Sequence, residues 1–107
     1  MKNTGQAELF LEIWMERPHI CFITGRRLKE PSPSMFAHVL PKGAYKKFML
    51  EKKNIVLMHP DIHHQQHSLG KEELINKYPK FLEFFQLQDS LRTEYNERYL
   101  KNYRTFD

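Results

Sequence analysis

The sequence contains little cysteine and glycine, and it has no long hydrophobic run. Its single cysteine, Cys21, excludes an intramolecular disulfide, and one thiol cannot build a Cys-based zinc knuckle. No apolar stretch reaches the length of a transmembrane helix, and the residues after Met1 lack the apolar run of a signal peptide. These absences predict no membrane association. They favour a cytoplasmic setting, which would be the host cytoplasm if the chain is viral.

The composition is that of an ordinary globular protein. Hydrophobic residues make up 40% of the 107 positions and charged residues 28%, so we expect one domain over residues 1–107 with one modest core. Seventeen Lys and Arg against thirteen Asp and Glu give a formal net charge of +4. This mild excess permits a phosphate-bearing partner but does not require one, because the distribution of charge matters more than its total.

Histidine and lysine are distributed unevenly. Residues 36–67 contain five of the six histidines and five lysines, but only two acidic residues. His59, His63 and His67 are spaced by four, which places them on one face of a helix. Neutral imidazole is a common ligand of divalent metals. For an isolated His-x3-His pattern, however, a polar helix face with exposed histidines is the simpler alternative.

The hydrophobic pattern predicts an α+β fold. Helices are expected where apolar residues recur at helical spacing, and strands where short apolar runs are rich in β-branched or aromatic residues. The predicted helices cover 5–16, 60–67, 71–78 and 80–103, and the predicted strands cover 19–23, 35–40 and 54–58. Trp14 and Cys21 should be buried, and Tyr45 and Phe48 should anchor the lysine-rich loop in the core.

The order of these features resembles a known family. The segment "AHVLPKG…NIVLMHPDIHHQQH" is similar to the HNH, or ββα-metal (His-Me finger), endonucleases, particularly the small phage-type ones, over residues 19–67. In that family a β-hairpin carries a general-base histidine, an asparagine begins the second strand, and the next helix presents metal-binding histidine. The resemblance implies a ββα-metal core, formed by a β-hairpin and a short helix. An N-terminal helix would precede this core, and a C-terminal helical region over about 71–103 would follow it.

The resemblance also implies roles for individual residues. His38 would be the general base that deprotonates water, and Asn54 would tie the hairpin together and orient His38. In some family members the equivalent asparagine touches the metal instead. His63 would hold the ion at the catalytic centre, with His67 as a second ligand and Asp61 as an oxygen donor. One divalent ion is implied, with Mg²⁺ expected in use and Mn²⁺, Ni²⁺ or Zn²⁺ as alternatives.

The sequence departs from the family pattern in two places. Ala37 stands where many members carry a metal ligand, so water, Asp61, His59 or His64 would have to complete the coordination. The paired cysteines that hold structural zinc in many members are also missing. No structural Cys–zinc site is therefore expected, and hydrophobic packing would have to replace it.

Basic residues lie in the loop of the predicted hairpin and in the turn that precedes the hairpin. The predicted DNA contacts are Arg26, Arg27, Lys42, Lys46, Lys47, Lys52 and Lys53. Phosphate contacts of this kind give salt-dependent affinity without sequence information. The alternative is a solvated loop whose lysines only keep it soluble.

These observations lead to one functional hypothesis and one main alternative. The hypothesis is a metal-dependent endonuclease that hydrolyses DNA phosphodiester bonds. The alternative is a catalytically silent HNH-fold module for DNA binding or protein interaction, which Ala37 favours. A histidine-rich metal-binding protein would not account for Asn54 or for the lysine loop. RNA as substrate, a homodimer and a targeting partner protein are all left open.

Overall fold

The computed structural model describes residues 5–100, and its architecture is α+β, as predicted. A two-stranded antiparallel hairpin is surrounded by four α-helices. The elements in chain order are α1 (Gln6–Glu16), β1 (Phe36–His38), β2 (Ile55–Leu57), α2 (Pro60–Ser68), α3 (Lys71–Lys77) and α4 (Phe81–Tyr95). A π-helical stretch, Asn96–Leu100, continues α4.

The hairpin is short and buried. Its register pairs Phe36 with Leu57, Ala37 with Val56, and His38 with Ile55. Every β2 residue is buried, which explains why that strand reads as a continuous apolar run instead of an alternating one. The loop between the strands contains two short 3₁₀ turns, Lys46–Phe48 and Lys52–Asn54. His38 ends β1, and the second 3₁₀ turn ends directly before β2.

The strand predicted over 19–23 is wrong. Only Ile20 makes a bridge, to Arg27, and the chain turns over residues 22–24. Gly25 follows with φ +73°, a left-handed conformation that glycine adopts without steric cost and that reverses the chain direction. The turn still packs against the hairpin, because the Phe22 N–H donates to the Leu57 carbonyl at 2.7 Å. Cys21 is buried there, as predicted.

The hydrophobic core lies around the hairpin, and each helix packs one side against it. The helices contribute Ile13, Ile62, Leu74, Phe81, Phe84 and Leu91 to it. The predicted anchoring of the lysine-rich loop is confirmed, because Tyr45 and Phe48 each pack edge-on against Tyr95 with ring centroids 5.0 Å apart. Trp14 is only partly buried and stacks on His19 at 3.6 Å. The tryptophan therefore lies at the edge of the core and not within it.

The C-terminal region is helical as far as the structure describes it. The helix predicted over 80–103 begins at Phe81, and its regular α-helical part ends at Tyr95. Residues 101–103 of that prediction lie outside the described residues. Within residues 5–100, no helix combines the length and the apolar character needed to cross a membrane.

Candidate active site in a histidine cleft

A cleft of about 620 Å³ lies between the end of β1, α1 and α2. Three of the histidines singled out from the sequence line it, namely His38, His63 and His67. Polar side chains of Lys42, Gln66 and Gln88 contribute to its walls, and Phe10 and Phe36 form an apolar side. The structure therefore brings together three histidines that are up to 29 positions apart on the chain.

His38 is held in one tautomer. Its ring is half-buried, and Nε2 lies 2.8 Å from the Met49 carbonyl oxygen. Because a carbonyl can only accept, Nε2 carries the hydrogen, and Nδ1 of the neutral ring keeps its lone pair.

The surroundings of His38 favour this neutral form. Burial lowers the pKa of His38 from its ordinary value of 6.5. The hydrogen bond to Met49 opposes this shift, while electrostatic interaction with Lys42 and His63 adds to it. At neutral pH His38 is therefore an uncharged proton acceptor.

Asn54 is fully buried, and both polar atoms of its side-chain amide form hydrogen bonds. Its Oδ1 accepts from the Leu40 N–H at 2.8 Å, and its Nδ2 donates to the carbonyl oxygens of Leu40 and Phe48, each at 3.2 Å. Phe48 directly precedes Met49, whose carbonyl holds His38. Asn54 therefore fixes the loop segment that orients the histidine, and its amide is directed into the loop and not into the cleft.

Helix α2 presents His63, Gln66 and His67 to the cleft at helical spacing. His63 Nδ1 donates to the Ser34 carbonyl oxygen at 2.7 Å, so its Nε2 keeps a lone pair. The rings of His63 and His67 have centroids 4.9 Å apart. Burial lowers the pKa of His67, and electrostatic interaction with His63 and His64 lowers it further. Two imidazoles thus lie side by side, and a backbone carbonyl fixes the orientation of one of them.

Sequence reasoning missed several residues that line the cleft, among them Gln66, Phe10 and Gln88. Gln66 lines the cleft, and its Oε1 is buried without a hydrogen-bond partner in the part of the chain that the structure describes. Its spacing of three from His63 could have revealed it, because such residues share a helix face. Phe10 reaches the cleft from α1, and no local sequence signal indicates this.

Asp61 is not brought to the cleft. Its carboxylate is exposed on the first turn of α2, 3.8 Å from His59 Nδ1. The same nitrogen of His59 accepts the Asp61 N–H at 3.1 Å, which makes His59 the N-cap of the helix. His64 is exposed and does not line the cleft either. The structure therefore gives no geometric support for these three residues as substitutes at the position of Ala37.

The donors present fit an open metal site better than a closed one. Among residues 5–100, no group of three or more His, Cys, Asp or Glu side chains could hold an ion. His63 and His67 supply two nitrogen donors, and the unpartnered oxygen of Gln66 marks unsatisfied acceptor capacity beside them. Two imidazoles fit a divalent ion that takes its remaining ligands from water and from substrate oxygens.

The predicted DNA contacts are not in one place. Among the described residues, Lys42 is the one of the seven that lines the cleft, where its Nζ lies 3.3 Å from Gln6 Oε1. Lys52 forms ion pairs with Glu12 and Glu16, and Lys53 pairs with Glu94. The remaining four are exposed at other points of the surface, and they are Arg26, Arg27, Lys46 and Lys47.

Comparison with known proteins adds no relative. No family model, no curated protein and no solved structure matched the chain. The likeness to HNH endonucleases therefore stays a prediction from the order of the motif. The geometry of the cleft carries the functional argument.

Proposed function

We propose that the chain is a metal-dependent endonuclease of the HNH type, which hydrolyses DNA phosphodiester bonds in the histidine cleft. One observation carries this proposal. His38 is held as the neutral Nε2–H tautomer in the same cleft as the paired imidazoles of His63 and His67. A general base beside two potential metal ligands can supply the two functions that metal-dependent phosphodiester hydrolysis uses, activation of water and neutralisation of developing charge.

His38 would act through its Nδ1 atom. The lone pair on Nδ1 would take a proton from the attacking water, and the ring would become an imidazolium whose Nε2–H still donates to Met49. The lowered pKa keeps this lone pair available at neutral pH. Asn54 would act as a positioning residue, because it holds the loop next to Met49.

His63 and His67 would hold the divalent ion, which we expect to be Mg²⁺ in use. When bound, such an ion supplies positive charge against the developing charge of the phosphoryl oxygens and the leaving O3′. The Ser34 carbonyl would fix the His63 ring, as second partners of ligating histidines commonly do. Lys42 would attract the phosphate backbone to the cleft.

A silent binding module of the same type is the second candidate, and Ala37 favours it. This residue is fully buried between the strands and has no ligating atom, so the side chain before His38 cannot complete a metal site. A module of this kind would bind DNA without cleaving it. Such a module would not require that His38 be held in one tautomer.

Cleavage of supercoiled plasmid tests the proposal. Wild type, His38→Ala and the control His64→Ala are compared with Mg²⁺, Mn²⁺, Ni²⁺ or Zn²⁺ and with EDTA. We expect metal-dependent nicking or linearisation by wild type and the control. His38→Ala should lose about 10²- to 10⁴-fold in rate, because a positioned general base contributes that much.

Two results would count against the proposal. Equal cleavage by His38→Ala would remove His38 as the base. Silence of wild type with every metal, on plasmid, branched and single-stranded DNA, together with a retained shift of labelled DNA, would favour the silent module. Circular dichroism of each variant shows whether a loss of cleavage reflects a loss of fold.

A further inference from the structure

A second, smaller cavity adjoins the histidine cleft. It has a volume of about 220 Å³ and lies between α1 and the proline-containing segment before β1. Phe10, Pro33 and Phe36 line both cavities, so the two share a wall. The smaller cavity is almost wholly apolar, and Ser32 is the polar residue among those lining it.

The shared wall contains a flat aromatic pair. The rings of Phe10 and Phe36 stack with centroids 4.3 Å apart and planes inclined by 4°. The Phe10 ring is also 6.4 Å from the ring of His38. Since Phe36 precedes His38 by two residues on β1, the strand itself fixes the pair next to the proposed base.

We propose that this smaller cavity receives an unpaired nucleobase from the nucleotide next to the phosphate at His38. The proposal rests on the proposed nuclease function and extends it to a substrate class. Bases stack on aromatic side chains through their faces, and such stacking tolerates any sequence. Because a base in continuous duplex is stacked and paired, the preferred substrate would be single-stranded DNA or duplex with unpaired nucleotides.

Charge favours a nucleotide over an apolar side chain of a protein partner. The cavity shares the wall of Phe10, Pro33 and Phe36 with a cleft that contains Lys42 and three histidines and whose described lining has no carboxylate. A polyanion that places its phosphate there would bring a base to the Phe10 wall. A protein segment would gain the apolar contacts but would leave the cation of Lys42 without a counterpart.

Binding and chemical protection test the proposal without turnover. Fluorescence anisotropy in EDTA gives the Kd for a labelled single strand and for the same strand in continuous duplex. Permanganate oxidation reports whether an unpaired thymine is shielded by stacking. We expect wild type to prefer the single strand and to protect the thymine. Phe10→Leu should weaken single-strand binding by about 5- to 150-fold and abolish the protection.

Two further variants complete the experiment. Phe10→Trp should restore affinity and protection, because it returns an aromatic face. Met15→Ala, an exposed apolar residue on the same helix outside both cavities, should behave as wild type. Equal binding and protection by Phe10→Leu and wild type, or a wild-type preference for continuous duplex, would overturn the proposal.

The two proposals fail in different ways. Plasmid cleavage by wild type without thymine protection would reject the base pocket and leave the nuclease. Thymine protection without cleavage by any metal would support the pocket and reject the nuclease.

Discussion

The two sides of the histidine cleft differ in how many of their polar side-chain atoms already form hydrogen bonds within the protein. On the hairpin side, His38 donates to Met49, and all three hydrogen bonds of the Asn54 side chain are made inside the loop. On the α2 side, His63 likewise donates to a backbone carbonyl, but Gln66 Oε1 is buried without a partner among residues 5–100. Folded proteins rarely leave buried polar atoms unpaired, so the difference is the one expected between a side that maintains geometry and a side that would bind a ligand.

This contrast predicts that substitutions on the two sides have different consequences. A change on the hairpin side should cost stability together with activity. A change on the α2 side should cost ligand binding with little loss of stability. If these histidines lay on a polar surface and had no functional role, neither pattern would be observed.

Replacing Asn54 should have the largest effect. Asn54→Leu leaves the N–H and the carbonyl of Leu40 without partners among the described residues, whereas the Phe48 carbonyl still accepts from the Glu51 N–H. Each buried unpaired group costs about 1–3 kcal/mol, so we expect the free energy of unfolding to fall by about 2 kcal/mol or more. Urea unfolding measures this. The control Asn76→Leu changes an exposed asparagine on α3 and should shift stability by about 0.5 kcal/mol at most. Equal stability of the two variants would refute the assigned role of Asn54.

Replacing His63 should weaken metal binding with little loss of stability. His63→Ala removes one imidazole of the pair and should weaken Mn²⁺ or Ni²⁺ binding by at least about 10- to 100-fold, a loss that even the partners of ligands can cause. His64→Ala changes the neighbouring exposed residue and should bind as wild type. Isothermal titration calorimetry gives both affinities. Metal binding that is unchanged in His63→Ala would place the ion elsewhere.

Much of the fold could be predicted because local signals agree. The β-branched run 54–58 and Pro60 directly after His59 define β2 and the start of α2 without tertiary information. The segment 19–23 is equally rich in strand formers, but Gly25 turns the chain before a ladder can form. Composition alone does not distinguish a strand from a tight apolar turn of this length.

The site was predictable in its outline but not in its lining. The order of His38, Asn54 and the α2 histidines predicted that His38, His63 and His67 would meet, and they line one cleft. Asp61 precedes His63 by two residues, and such neighbours do not share a helix face, so its absence from the cleft follows from helical geometry. The contributions of Phe10 and Gln88 depend on how α1 and α4 pack, which no local pattern encodes.

Acid should destabilise the protein through His38 and His67, the two histidines whose pKa is lowered. The pKa values of His38 and His67 are lowered in the folded state, with burial as the main cause, whereas the unfolded chain titrates near 6.5. The unfolded state therefore binds more protons as pH falls below about 6.5, and the stabilisation present above that pH is lost as pH passes the folded values.

Urea unfolding between pH 7 and pH 5 measures this loss. His38→Asn should show a shallower decline than wild type, because one of the two shifted groups is gone. The cleavage rate should also fall towards acid, since protonated His38 cannot accept a proton, with a midpoint below 6.5. Identical stability profiles for wild type and variant would contradict the shifted pKa of His38.

The smallest expected effect concerns the lysines, where position should decide function. Lys42 lies in the cleft, whereas Lys52 is paired with Glu12 and Glu16 on α1. A phosphate contact contributes about 0.7 to 0.9 to the slope of log K against log salt, so Lys42→Ala should flatten that slope by nearly one unit. Lys52→Ala should change the slope much less, because Glu12 and Glu16 already pair with the charge of Lys52. Anisotropy titrations at several salt concentrations give both slopes. Equal flattening by the two variants would mean that DNA lies across the whole loop and is not centred on the histidine cleft.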